Sequence, residues 1–85
     1  MLPTGWAWVY WSYEYPGDQT WYLFDERGPA AFSQTTGCRH AVVCYIKASG
    51  NYNWHRTKWG GLCGCEKTLE AAMAAAETGV WVVSP

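Results

Sequence analysis

Charged residues are scarce in this 85-residue chain, at 15%, and long apolar runs are missing altogether. No uninterrupted stretch approaches the roughly 18 residues that a membrane-spanning helix needs, so no transmembrane segment is expected. The opening Met1-Leu2-Pro3-Thr4-Gly5 has neither the basic nor the apolar region of a secretory signal. The expectation is therefore a cytoplasmic protein. Ala, Glu, Lys, Leu and Arg are too sparse outside one short stretch for a coiled coil. There is no GxSxG, no HExxH, no phosphate-binding loop and no dinucleotide fingerprint. A chain of this length buries only roughly 60–65% of its unfolded surface, which leaves room for one small domain.

Aromatic rings are what the chain has in excess. Seven Trp, six Tyr and two Phe make 18% of the residues, which excludes intrinsic disorder. The net charge of −1 hides an uneven distribution. Residues 1–37 carry Glu14, Asp18, Asp25 and Glu26 against Arg27 alone. Residues 38–67 carry Arg39, Lys47, Arg56, Lys58 and Lys67 against Glu66, and Glu70 and Glu77 follow. The middle is mildly basic, well short of the dense footprint of a dedicated nucleic-acid binder.

Trp6 to Tyr15 is rich in β-formers and has no helical stripe, so it reads as a strand. Alternation puts Trp6, Trp8, Tyr10, Ser12 and Glu14 on one face and Ala7, Val9, Trp11, Tyr13 and Tyr15 on the other. Both faces are aromatic, so neither is expected to be purely solvated. Pro16-Gly17-Asp18-Gln19 supplies turn chemistry, and Thr20 to Asp25 returns as the second strand of a hairpin. Arg27 to Gly37 is loop-like, with Phe32 tucked beneath it. Arg39 to Lys47 and Tyr52 to Trp59 read as two further strands around a Ser49-Gly50-Asn51 turn. Gly60-Gly61 predicts a bulge or bend. Thr68 suits a helix N-cap and Glu70 the first turn. Leu69, Ala72, Met73 and Ala76 then make one apolar stripe, and Gly79 is a natural stop. Val80 to Val83 is β-prone enough for a final edge strand. The predicted fold is α+β: a four- to five-stranded, mainly antiparallel sheet with one short helix packed on one face.

Four cysteines and two histidines raise the question of metal. Cys38-x5-Cys44 and Cys63-x-Cys65 do not have the two-to-four-residue spacing of a zinc knuckle, although a Cys63/Cys65 clamp with Cys38 or His40 stays open. A zinc-stabilised structural module is thus one alternative. Disulfides suit the even count but not a reducing compartment. Buried small hydrophobes plus exposed thiols is the plainer reading. As a nucleophile, Cys44 shares a strand face with His40 at a spacing of about 13 Å, too long for a hydrogen bond. His55 could approach it across strands, but no third orienting group is evident. Asp25 and Glu26 adjoin a turn and read as solvated. No enzyme and no cofactor are expected.

Tyr52-Asn53-Trp54-His55-Arg56-Thr57-Lys58-Trp59 is the candidate binding segment. Alternation places Tyr52, Trp54, Arg56 and Lys58 on one face, a ring beside two cations. That arrangement suits a protein-interface hot spot, with single-stranded nucleic acid as the alternative partner. An ordinary exposed cation–π pair would look the same. One short Ala-rich helix cannot cover all the rings, so some should form a surface patch or be buried in a homodimer. The patch is expected on the sheet face opposite the helix, near Trp54, Arg56 and Lys58.

Trp59-Gly60-Gly61-Leu62-Cys63-Gly64-Cys65 leading into Thr68-Leu69-Glu70-Ala71-Ala72-Met73-Ala74-Ala75-Ala76-Glu77 resembles the C-terminal part of small orphan proteins from phages and other mobile elements. Many anti-CRISPR proteins belong to this loose class. The resemblance implies a phage-encoded inhibitor that binds and blocks a host protein or nucleoprotein complex in the host cytoplasm. The class shares no site motif, so no site residue is carried over.

Overall fold

A computed structural model describes residues 2–12, 18–56 and 62–77. Among them, five strands form one sheet in chain order, each pairing antiparallel with the next. They are β1 (Ala7–Ser12), β2 (Gln19–Phe24), β3 (Arg39–Ile46), β4 (Asn51–Arg56) and β5 (Cys63–Glu66). One helix, α1 (Leu69–Glu77), packs over β3, β4 and β5. The expected α+β architecture is the one found.

Each element follows from local chemistry. Thr68 caps α1, its Oγ1 accepting from the Ala71 N–H at 3.1 Å. Ala72 and Ala76 are fully buried, so the small stripe brings the helix backbone close to the sheet. Gly50, at φ 71°, takes the left-handed conformation that the β3–β4 turn requires. There the N–H groups of Ser49 and Gly50 both donate to the Ile46 carbonyl.

The fifth described strand falls on a segment that the sequence reading did not mark as a strand. It is Cys63–Glu66, while Val80–Val83 lies outside the described residues. β5 has little intrinsic strand preference and forms through its ladder to β4. Gly64 faces Trp54 in that ladder. A β-carbon on Gly64 would lie 2.7–2.8 Å from three atoms of the Trp54 indole, so only glycine lets the ring lie over the edge strand.

Register fixes the two faces. Trp8, Leu23, Ala41 and Arg56 form one rung across the helix side, and Tyr10, Trp21, Val43 and Trp54 form the next. Leu23, Ala41 and Ala76 are its fully buried centre, with Leu2, Trp6, Trp8 and Trp54 packed around them. Val9, Tyr22, Val42 and His55 make a rung on the opposite face. The segment from Pro29 to Ser33 is a short 3-10 helix rather than irregular loop, and Phe32 does tuck inward. Its ring lies 5.5–5.7 Å from those of Trp11, Tyr22 and Phe24. One end of the second face is thereby closed by an aromatic cluster of its own.

Candidate functional site

The residues expected to form a site are placed unevenly. Lys58 lies outside the described residues. Trp54 and Arg56 do share a face, and the guanidinium sits 5.7 Å from the indole centroid. That face is the helix-covered one, not the opposite one, which corrects the expected location. Trp54 is half-buried against the core, and its Nε1–H donates to Glu66 at 3.4 Å. Arg56 donates from Nε to the Ala76 carbonyl and from Nη2 to the Ala75 carbonyl, both at 3.2 Å. These carbonyls belong to the last turn of α1, where the helix dipole favours a cation. Arg56 is thus a tether for the helix. Strand parity alone could not reveal this, because β3 is buried on both faces and gives no clue to which one the helix covers.

Tyr52 belongs to a different group. Its ring lies 4.8 Å from Tyr45 and 6.3 Å from Trp21, and Trp21 meets Tyr10 edge-on at 5.6 Å. Four rings therefore run across the sheet towards β1. Tyr45, Tyr52 and Trp21 are half-buried, and Tyr10 is 46% exposed. The stripe ends on an edge strand of six residues, Ala-Trp-Val-Tyr-Trp-Ser, with no charge and no proline. On its far side Trp11 is 39% exposed. Edge strands are usually blunted by charge, proline or shortness. β5 follows that rule, with four residues ending on Glu66. β1 does not.

A hollow of about 270 Å³ lies on the face away from the helix. Val42, Cys44 and Ile46 are among its lining residues, with Tyr22 and Thr20 on one flank and His55 on the other. Arg39 enters at one end, its guanidinium 4.8 Å from the Tyr22 ring centroid and 5.3 Å from that of Phe32. Asp18 lies at the other end and accepts from the Lys47 backbone N–H at 2.9 Å. Partial desolvation and then the Arg39 charge push the His55 pKa below its ordinary value of 6.5. A shift in register between Leu23 and Phe24 pairs Phe24 with Arg39, and Arg39 lies against the Tyr22 face. Sequence alternation could not show that turn of the side chain.

Asp25 is the main correction among the charged residues. It is 4% exposed rather than solvated, whereas Glu26 is exposed as expected. Its Oδ1 accepts from the Arg27 backbone N–H at 2.9 Å and from Arg27 Nε at 3.0 Å. Its Oδ2 accepts from Arg27 Nη2 and pairs with His40 Nε2 at 2.8 Å. The Arg27 bond, opposed by burial and assisted by His40, holds the Asp25 carboxyl well below the usual carboxylate range. The same bond raises the Arg27 pKa. An Asp–His pair resembles half of a catalytic triad, but His40 Nδ1 is buried without a hydrogen-bond partner and the ring stacks on Trp6 at 4.3 Å. With Arg27 and His40 both bonded to Asp25, the cluster forms a clasp. It joins the end of β2 to the start of β3.

The cysteines are free thiols: Cys38 is buried and donates to the Thr35 carbonyl, Cys44 lies 3.7 Å from Thr20 Oγ1, and Cys63 and Cys65 are exposed on β5. Among the described residues no three His, Cys, Asp or Glu side chains are grouped to hold a metal ion, and no helix is long and apolar enough to cross a membrane. Compared with protein families, curated proteins and solved structures, the chain matches none of them.

Proposed function

We propose that the chain is a non-enzymatic protein-interaction module whose partner docks on the Tyr10–Trp21–Tyr52–Tyr45 stripe and the adjoining edge of β1. The observation that carries this reading is the continuity of a partly exposed aromatic stripe with a strand, Ala7–Ser12, that carries no charge. Among the described residues no strand lies beside the outer edge of β1. A partner segment adding there would gain main-chain hydrogen bonds, and the rings of Tyr10 and Trp11 would supply anchors on the two sides. The engagement of Arg56 with α1 takes a cation away from the stacking platform that single-stranded nucleic acid would need. The narrower form of the proposal is a phage-encoded, anti-CRISPR-like inhibitor that blocks a host protein or nucleoprotein complex in the host cytoplasm. Its support is the C-terminal resemblance alone.

The test is quantitative binding with a Tyr10→Ser/Tyr52→Ser double variant, both positions lying outside the buried core. A partner captured on the immobilised chain, purified and titrated back, should bind the variant at least about tenfold more weakly, as loss of a hot spot predicts. Equal affinity for the two proteins would overturn the proposal. Sedimentation of the chain alone reports whether a second copy is the partner.

A further inference from the structure

We propose that Cys63, Cys65 and His55 form a dithiol site on the helix-free face that exchanges with small-molecule disulfides, Cys63 attacking, His55 taking its proton and Cys65 resolving the adduct. The site lies on the opposite side of the sheet from the aromatic stripe and does not depend on it. Trp54 and Gly64 oppose each other on the helix side, so alternation turns their neighbours His55, Cys63 and Cys65 to the other side. All three are exposed, whereas Cys38 is buried and Cys44 half-buried. Cys63 stands directly opposite His55, and Cys65 opposite Asn53. The Arg56 N–H donates to the Leu62 carbonyl at 2.8 Å, so the next rung, His55–Cys63, is of the non-hydrogen-bonded kind. Opposed Cα atoms in such a rung are about 4.5 Å apart. Rotation about χ1 of two exposed side chains then brings thiol and imidazole within reach. Cys65 has an amide in the corresponding place, which takes no proton.

Partial desolvation and then the Arg39 charge keep the His55 pKa below 6.5, so the imidazole is neutral at pH 7 and offers a lone pair. It takes the Cys63 proton, and the thiolate attacks one sulfur of the small disulfide. That S–S bond breaks, a mixed disulfide forms on Cys63, and the departing thiolate recovers the proton from His55. Cys65 then attacks the Cys63 sulfur and expels the second thiol, its own proton going to that leaving group. The two thiols of the chain lose two electrons and two protons, and the small disulfide leaves as two thiols. The exchange is stoichiometric. Cα atoms two residues apart on a strand are separated by about 6.6 Å, near the upper limit of about 6.8 Å for a bridged pair. Closure therefore bends the strand at Gly64, the residue over which the Trp54 indole lies. Such a bridge is strained, so excess dithiothreitol reopens it.

The probe is glutathione disulfide, added to the reduced full chain at pH 7 while released glutathione is counted and the modified cysteines are mapped by mass spectrometry. Two glutathiones should be released per chain, leaving a Cys63–Cys65 bridge, and the Trp54 indole N–H signal should move as Gly64 shifts. Cys65→Ser should halt the reaction at a Cys63–glutathione adduct. Cys63→Ser should leave an adduct on Cys65 that forms about tenfold more slowly and never closes to a bridge. His55→Gln, at an exposed position, should slow the reaction of Cys63 by about tenfold. A free thiol is only about 3% ionised at pH 7, which bounds the gain from a neighbouring base at roughly thirtyfold. Equal rates of adduct formation in the two serine variants, or a rate unchanged by His55→Gln, would overturn the proposal. So would stable adducts on both cysteines with no bridge between them.

Discussion

Replacing Asp25 by Asn separates charge from shape at the clasp between β2 and β3. The amide oxygen can keep the two Oδ1 bonds, to the Arg27 backbone N–H and to Nε. The amide nitrogen then stands where Oδ2 stood and faces Arg27 Nη2, a donor. His40 could accept from that nitrogen only by moving its own proton to Nδ1, which is buried with no acceptor in reach. One or two charge-assisted bonds are lost by either route, at about 1.5–3 kcal/mol each. Arg27 is 46% exposed and regains water, which discounts its share. The net loss should be about 2–4 kcal/mol, a large fraction of the stability of so small a domain. Urea unfolding at pH 7 reads it as a fall in midpoint at constant slope. The pH dependence carries the sign. The native Asp25 pKa lies far below its ordinary 3.8, so its stabilisation is complete above pH 5 and disappears as pH falls through 3.8 and below. The gap between wild type and variant should therefore shrink from pH 5 to pH 2. A variant within about 0.5 kcal/mol of wild type at pH 7, the range of ordinary surface changes, would refute the reasoning. So would a gap that stays constant down to pH 2.

Two further substitutions test the helix side. Arg56→Met keeps the apolar stem but removes both bonds to the last turn of α1, and should cost about 1–3 kcal/mol. Each kcal/mol should lower the thermal midpoint by roughly 4–8 °C in a domain of this size. An unchanged midpoint would mean that the tether contributes nothing. Gly64→Ala forces a β-carbon against the Trp54 indole and should cost about 1–3 kcal/mol by overpacking. On a Trp54→Leu background the same change should cost much less. Strict additivity of the two substitutions in urea unfolding would rule out the clash.

Much of the fold is legible in the sequence because local signals agree with tertiary ones. The aromatic alternation of β1 and β2, the capping Thr68 and the Ala stripe each point to the element that forms. The readings that failed share a cause. Trp54 and Arg56 were expected on the face away from the helix, yet which face a helix covers depends on β3, and Ala41, Val42 and Val43 are buried on both sides. The stripe was legible only in part: Tyr52 was identified, but Tyr10, Trp21 and Tyr45 join it only through the register between strands far apart in sequence. Asp25 beside a turn has the pattern of a solvated carboxylate, and only the return of His40 against it creates the buried clasp. Arg39 and His55 share the hollow because of an irregularity in the β2–β3 ladder that no periodicity announces. β5 depends on a contact rather than on propensity, since Gly64 gives way to the Trp54 ring.

The central claim is that the stripe from Tyr10 to Tyr45, with the β1 edge, is where a partner protein binds. Amide hydrogen exchange across Ala7–Ser12, with and without the captured partner, tests it most directly. Added main-chain pairing should slow exchange in β1, and the Tyr10→Ser/Tyr52→Ser variant should show no such protection. Protection confined to other parts of the chain, with β1 unaffected, would contradict the account.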